Sequence, residues 1–255
     1  ISLTGSVRAG QELGRIAADR ILPLTLELGG KSADIVFDDA DLDAAARGTT
    51  SAFTWNSGQW CAAGTPILVQ RNIHDDFVRR LVDEVAKLKI GPQQDATSGP
   101  ITTREQFEKI KEYLGIAKDA GLVPAIGGGV ANAPHLGTGL YIEPTVYTGV
   151  TNDMRIAREE IFGPVVCVIP FEDDDDAVRL ANDSDFGLSA GIWSLSSSRV
   201  HRIARRLEAG RIVVNEYSGG FVQTPCGGFK RSGYGREHGL GALAHYSQIK
   251  SVIVR

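Results

Sequence analysis

Apolar residues recur along this chain at two periods that alternate from one segment to the next. Phe77, Leu81, Val85 and Leu88 follow one another at spacings of 4, 4 and 3, with Arg79, Arg80, Asp83 and Lys87 on the opposite side. That is a single apolar stripe at 3.6 residues per turn, and it predicts a helix over 73–88. A second helix is predicted over 103–119, stopped at Gly121, since glycine accepts the left-handed conformation that ends helices. Asp39 or Asp41 is placed to cap a third, alanine-rich helix running through Phe53. The acidic run 173–176 opens another, where negative charge suits the helix dipole or simply forms a solvated cap. Val200, Ile203, Ala204 and Leu207 share one face of a further helix.

Short apolar runs lie between these helices, at 24–28, 34–37, 66–70, 164–171, 189–193 and 212–215. The run 164–171 is almost wholly apolar, the pattern of a strand buried on both faces. Strand and helix in alternation predict an α/β fold with a mainly parallel sheet flanked by helices. Residues 248–254 alternate apolar and polar, which predicts an edge strand in need of a partner.

Composition narrows the class without changing it. The chain has 255 residues, 42% apolar and 23% charged, enough to bury a core in one large or two modest domains. A net charge of −4 gives no basic face for nucleic acid. No apolar run approaches the roughly 18 residues of a membrane span. Cys61, Cys167 and Cys226 are far apart and odd in number, so neither a disulfide framework nor a metal site is expected, and free thiols predict a cytoplasmic protein. The first residues, Ile-Ser-Leu-Thr-Gly, contain no secretory signal. The chain reads as starting inside a domain, with functional groups expected upstream.

Two residues carry candidate chemistry. Cys61 closes Asn56-Ser57-Gly58-Gln59-Trp60-Cys61, where glycine and small polar residues let backbone amides approach the sulfur. Such amides lower a thiol's pKa and can hold an oxyanion. A lone cysteine is more often a small buried hydrophobe. Glu27 lies near the end of a predicted strand that runs into Gly29-Gly30, the kind of position where open α/β sheets place ligands. A carboxylate in apolar surroundings has a raised pKa suited to general-base work, although a solvent-facing strand glutamate has the same sequence appearance.

The motif Leu26-Glu27-Leu28-Gly29-Gly30-Lys31, followed 34 residues after Glu27 by Cys61 in Gly58-Gln59-Trp60-Cys61, resembles the aldehyde dehydrogenase superfamily. Thr4-Gly5-Ser6 with Gly10, Glu159-Glu160-Ile161-Phe162-Gly163-Pro164, and Pro225-Cys226-Gly227-Gly228-Phe229-Lys230 through Gly235-Arg236-Glu237 resemble three more of its segments in the family's order. The likeness spans 1–255 but only about the C-terminal half of the family's usual chain. It implies an aldehyde dehydrogenase-like catalytic domain plus a remnant of a Rossmann-like cofactor domain. The division is 1–30 as the end of the dinucleotide-binding domain, 31–232 as the catalytic domain, 233–247 as a return segment toward the cofactor domain and 248–255 as an oligomerisation strand.

The resemblance also implies roles. Cys61 would form a thiohemiacetal and then a thioester with an aldehyde, and Glu27 would activate the water that releases the acid. NAD or NADP would be bound by Gly5, Ser6, Gly10, Leu28, Gly29, Glu160 and Phe162. Glu237 would relay protons behind Glu27, unless it forms a structural salt bridge, and Asn215 would tie loop backbone groups near Cys61. Trp55, Trp60, Gly220, Phe221 and Cys226 would line the aldehyde tunnel within a glycine-rich stretch that begins at Ser218. Cys226 stands where the family often has an aromatic residue, which implies a wider tunnel. Thr65-Pro66 replaces the usual Ser/Thr-Arg. The implied partners are an aldehyde and further copies of the chain, with no nucleic acid and no membrane.

Glu27 argues against a CoA-acylating relative, in which a thiol rather than water opens the thioester. Retention of Cys61 and Glu27 argues against a non-catalytic member, and the absence of a histidine motif beside Cys61 argues against an unrelated cysteine hydrolase. Because groups of the family's cofactor domain lie upstream, residues 1–255 alone are expected to bind dinucleotide poorly and turn over slowly. Aldehyde-dependent NADH formation by this stretch checks that expectation, and robust turnover would contradict it.

Overall fold

The computed structural model describes residues 1–217 and 220–255. In chain order the strands are β1 (Ser2–Thr4), β2 (Thr25–Glu27), β3 (Ser32–Val36), β4 (Gly64–Gln70), β5 (Pro124–Ile126), β6 (Thr145–Tyr147), β7 (Val165–Phe171), β8 (Phe186–Gly187), β9 (Ser189–Trp193), β10 (Arg211–Val214), β11 (Phe229–Lys230) and β12 (Gly233–Tyr234). The α-helices are α1 (Val7–Asp19), α2 (Leu42–Thr54), α3 (His74–Val85), α4 (Arg104–Asp119), α5 (Arg155–Arg158), α6 (Asp174–Asn182) and α7 (Ser197–Ala204). The α/β class read from the alternation is the class observed.

The main sheet has seven strands in the order β10-β9-β3-β4-β7-β6-β5, parallel except where β5 meets β6. Its central strands divide their side chains between two cores. From β3, Ile35 enters one core and Val36 the other; from β4, Leu68 enters the first, Ile67 and Val69 the second. On β7, Cys167 and Ile169 face one way and Val166 and Val168 the other, which accounts for the unbroken apolar run. The first core is closed by α4, α5, α6 and α7 through Ile110, Ile156, Val178 and Ile203. The second is closed by α2 and α3 through Phe53, Phe77 and Leu81.

Local capping explains the helix starts. Asp41, not Asp39, caps α2, accepting from the Ala44 amide at 3.0 Å. Asp39 instead accepts from Ser194 Oγ, the Ser196 amide and Arg199. Asp173 caps α6 by accepting from the amides of Asp175 and Asp176, so the acidic run is a cap. α3 ends at Val85, short of Leu88.

A smaller three-stranded sheet, β1-β2-β12, stands apart from the large one. In it β1 and β2 run parallel, connected through α1, and β12 pairs antiparallel with β2, opposing Gly233 to Glu27. The predicted strand over 248–254 pairs with nothing among the described residues: 248–255 carries no strand and Ile249, Val252, Ile253 and Val254 are all exposed. An edge strand needs a second backbone, which the single chain does not offer it. No helix of the described residues is long and apolar enough to cross a membrane.

Asp34 lies fully buried at the middle of the large sheet, on β3, where it accepts from Trp193 Nε1 at 2.8 Å and Thr49 Oγ1 at 2.9 Å. Burial raises its pKa to about 7 against the pull of those two donors. Between about pH 4 and 7 the native state therefore keeps a proton that the unfolded chain has lost, and stability falls as pH rises through that window. Asp34→Asn keeps the shape and cannot ionise. The unfolding free energy of the parent should drop relative to that of Asp34→Asn between pH 4 and 7, measured by denaturant titration at several pH values. Parallel curves would show that Asp34 does not titrate there.

Candidate active site

The site forms where the small sheet hands the chain to the large one. β2 ends at Glu27, whose backbone carbonyl accepts from the Gly5 amide at 3.0 Å, while the Leu28 amide donates to Ser232. The chain then crosses Gly29 and Gly30 into β3. A Cβ on Gly29 would sit 2.3 Å from Glu160 Oε2, and one on Gly30 would sit 2.3 Å from the Cys61 carbonyl oxygen. Only glycines let the thiol's loop and the Glu160 segment close on this crossing from two sides.

The loop before Cys61 holds unusual backbone. Asn56, Ser57 and Gly58 have φ of 51°, 56° and 71°, three left-handed residues in succession. Non-glycine residues adopt this conformation only when their surroundings enforce it. Asn56 Nδ2 donates to the Gln59 carbonyl, Gln59 Nε2 returns a bond to the Asn56 carbonyl, Ser57 Oγ donates to Gly99 O, and Gln59 Oε1 accepts from the Thr102 amide. Gly58 lies against the Gly163 carbonyl group, which a Cβ would meet at 2.2 Å.

A cavity of about 410 Å³ opens at this junction. It brings together Gly5, Ser6, Leu28, Gly29, Trp60, Cys61, Glu160 and Phe162 from the sequence reading. Burial and the neighbouring Glu160 carboxylate push the Cys61 thiol up, while its own amide and that of Ala62 pull it down. Glu160 accepts from the Gly30 amide at 3.1 Å, and burial raises its carboxyl against the pull of that amide, Lys109 and Lys31. Its neighbour Glu159 faces away, in a two-point bond with Arg155 and accepting from Tyr113 Oη. Ser6 caps α1, accepting from the Ala9 amide at 3.2 Å.

Glu27 is 9% exposed and its carboxyl is raised to about 7, chiefly by burial and then by Glu237, with Arg236 opposing. Its Oε1 has no hydrogen-bond partner among the described residues and lies beside Gly227. The carboxyl is not on the wall of the 410 Å³ cavity; Leu28 and Gly29, its immediate successors, are. Gly10 is also off that wall, packed where a Cβ would meet Leu28 at 2.7 Å. Glu237 accepts from Ser2 Oγ at 2.7 Å and Tyr246 Oη at 2.9 Å, and forms no salt bridge among the described residues.

The tunnel residues scatter more widely. Trp55 is 57% exposed and edge-on to Trp60 at 5.3 Å, Gly220 and Phe221 are exposed, and Cys226 is half-buried with its thiol pushed up by burial and by Glu27. Ser218 and Gly219 lie outside the described residues. Asn215 is a correction: its amide bonds both backbone groups of Ser194, at 3.0 Å each, and not loop groups near Cys61. The amide continues the β9–β10 pairing past the end of the ladder, so its pull is on the sheet.

Four residues at the site escape the sequence reading: Gln59, Gln106, Lys109 and Lys31. Thr103-Arg104-Glu105-Gln106 has the form of a capping box, and Thr103 does accept from the Gln106 amide. The Gln106 side chain goes elsewhere, donating to the carbonyls of Ile161 and Phe162 at 2.8 and 2.9 Å and holding Phe162 at a φ of 59°. Lys31 is buried with its ammonium on the Ile156 carbonyl at 3.0 Å, its pKa lowered by burial. No group of three or more metal-binding side chains occurs among the described residues.

Comparison with known proteins now bears on this geometry. The sequence model described as "Aldehyde dehydrogenase family" matches residues 1–252. Betaine aldehyde dehydrogenases of Mesorhizobium japonicum and Brucella anthropi are 46% and 45% identical over the whole chain, which covers 53% of each. The chain thus spans about half the length of these curated relatives. A Staphylococcus aureus betaine aldehyde dehydrogenase solved with NAD+ superposes with a TM-score of 0.94 at 40% identity, over 96% of this chain and 49% of that one. An indole-3-acetaldehyde dehydrogenase of P. syringae, solved with NAD+ and IAA, gives 0.95 at 38% identity, over 98% and 51%.

Gly58→Ala tests the loop. The added methyl meets the Gly163 backbone in a left-handed position, which should cost about 1–3 kcal/mol and slow alkylation of Cys61 by iodoacetamide. An unchanged urea midpoint with an unchanged alkylation rate would show that the loop does not depend on this contact.

Proposed function

This chain belongs to the aldehyde dehydrogenase family, and from that premise we propose that it oxidises an aldehyde to a carboxylic acid with NAD+ or NADP+ through a thioester on Cys61. The observation that carries the reading is one cavity in which a thiol flanked by two backbone amides faces a carboxylate and a helix N-terminus. Residues 1–30 are assigned to the end of a dinucleotide-binding domain, 31–232 to the catalytic domain, 233–247 to the return segment and 248–255 to an oligomerisation strand.

The residues present fit a dinucleotide. Ser6 at the start of α1 suits a phosphate, Glu160 suits ribose hydroxyls, and Phe162 offers an apolar face held by Gln106. The nicotinamide, when bound, supplies the hydride acceptor. Within this chain, Cys61 Sγ attacks the carbonyl carbon, and the Cys61 and Ala62 amides that draw down the thiol are the donors nearest the developing oxyanion. The thiol proton passes to solvent as the S–C bond forms, and loss of the former aldehyde hydrogen as hydride to that acceptor turns the tetrahedral adduct into a thioester on sulfur.

Glu27 takes a proton from the water that opens the thioester, and at a pKa of about 7 it is a base at neutral pH. To reach that water the carboxyl must turn from beside Gly227 toward the cavity, a side-chain rotation past Leu28. Glu237 stands behind it as a second carboxylate that raises its proton affinity. The exposed segment 248–255, with its unpaired apolar residues, fits pairing as a strand with a second copy of the chain.

p-Nitrophenyl acetate separates the two half-reactions, because acylation releases a coloured phenolate and deacylation sets the steady rate. In the full-length protein, Glu27→Gln should keep a burst of one phenolate per chain and slow the steady rate by about 10²–10⁴-fold. The parent's steady rate should rise with pH through about 7 as Glu27 loses its proton. A Glu27→Gln variant that deacylates at the parent rate would remove Glu27 from the mechanism.

A further inference from the structure

Tyr217 is distant from Cys61 in sequence and is assigned no role above. It follows β10, is 8% exposed, and its Oη donates to the Ala62 carbonyl at 2.9 Å. Its ring also meets the indole of Trp60 edge-on, at 5.9 Å between centroids and 87° between planes. One side chain thus contacts the residue before the nucleophile and the residue after it.

The fold makes room for this reach. In the sheet order, β9 and β3 lie between β10 and β4, so the ring must lie across these strands, on the side of the second core, to arrive at the thiol's loop. A Cβ on Gly191 of β9 would sit 2.8 Å from the ring, and one on Gly64, at the start of β4, would sit 3.2 Å from it. Two glycines, on the strands that flank β3, leave the slot that the ring occupies. Burial, then the Asp34 charge, pushes the phenol up, so the hydroxyl stays protonated and remains a donor.

We infer that Tyr217 is a positioning residue for the nucleophile, its hydroxyl and ring clamping Ala62 and Trp60 so that the Cys61 sulfur and amide keep their orientation toward the cavity. The inference rests on the assignment of Cys61 as nucleophile. One of the two oxyanion donors named above is the amide of the Trp60–Cys61 peptide, and the peptide after Ala62 carries the carbonyl that Tyr217 holds. Fixing both flanks removes the rotations that would swing sulfur and amide away from a common substrate atom. A loss of alignment of that kind lowers the rate of attack without altering a cofactor pocket built from other segments.

The test uses Tyr217→Phe in the full-length protein, which keeps the ring and loses the bond. The rate of the p-nitrophenyl acetate burst, taken per alkylatable Cys61, should fall about tenfold, the loss expected for one buried hydrogen bond expressed only in alignment. The dissociation constant for NAD+ should stay within about twofold. If the burst rate equals the parent's, the proposal is overturned. It is equally overturned if the burst rate, NAD+ affinity and melting temperature decline together, since that is general loosening.

Trp60→Phe, which trims the indole on the other flank, is the second variant should Tyr217→Phe not fold; the same selective deficit is expected and an unchanged burst overturns the clamp. Cys61→Ser keeps the two readings apart. A full burst in Cys61→Ser removes the nucleophile assignment itself, whereas a silent Cys61→Ser beside an unaffected Tyr217→Phe removes only the clamp.

Discussion

The close approach of the Cys61 backbone and the Glu160 carboxylate to the chain at Gly29 and Gly30 is the constraint on which the site depends. One side of this crossing is occupied by the Glu160 carboxylate and the other by the Cys61 carbonyl, each at a distance that any side chain would forbid. The two groups belong to loops about a hundred residues apart, and they share a wall only because the segment between β2 and β3 has no Cβ at two successive positions. Hydrogen bonds then lock the contact: Gly30 donates to Glu160, and the following Lys31 donates to Ile156 at the base of the Glu160 segment. A buried ammonium costs free energy that a surface lysine avoids. Here it offsets part of that cost by lying close enough to stabilise the charge of Glu160.

Burial is also what gives the site its chemical range. Glu27 and Asp34 carry carboxyls raised to about 7 by the same physical cause, loss of water. They differ in their partners. Asp34 accepts from Trp193 and Thr49 and braces the centre of the sheet; Glu27 has a buried oxygen without a partner among the described residues, beside Gly227. A satisfied buried acid serves the fold, and an unsatisfied one is a candidate for chemistry, the basis on which a general-base role is proposed for Glu27. The same contrast separates Cys167, sealed in the sheet core, from Cys61, flanked by amides.

Strain and support alternate around the thiol. Three left-handed residues precede it, bonds from Asn56, Ser57 and Gln59 hold them in place, and the aromatic rings of Trp60 and Tyr217 pack on the far side. The loop therefore has little freedom to relax, which suits the role proposed for Cys61, a nucleophile that would meet a carbonyl carbon in one orientation.

The local code was legible where the interactions are local. The stripe Phe77, Leu81, Val85 marked α3, the caps Thr103 and Asp173 marked helix starts, and the wholly apolar 164–171 marked a strand covered on both faces, because periodicity and capping act within a few residues. Cys61 and Glu27 stood out as candidate chemistry from their glycine-rich contexts, and Glu160 from the family resemblance of its motif. The sequence could not tell whether Asp39 or Asp41 caps α2, nor that Gln106 turns from its own helix end to Phe162, since both outcomes depend on partners far along the chain. It also left open which way Glu27 points, what Asn215 ties, and that Tyr217 reaches the nucleophile's loop. Those were decided by tertiary packing, because a side chain's direction is set by the space and donors that other strands leave to it.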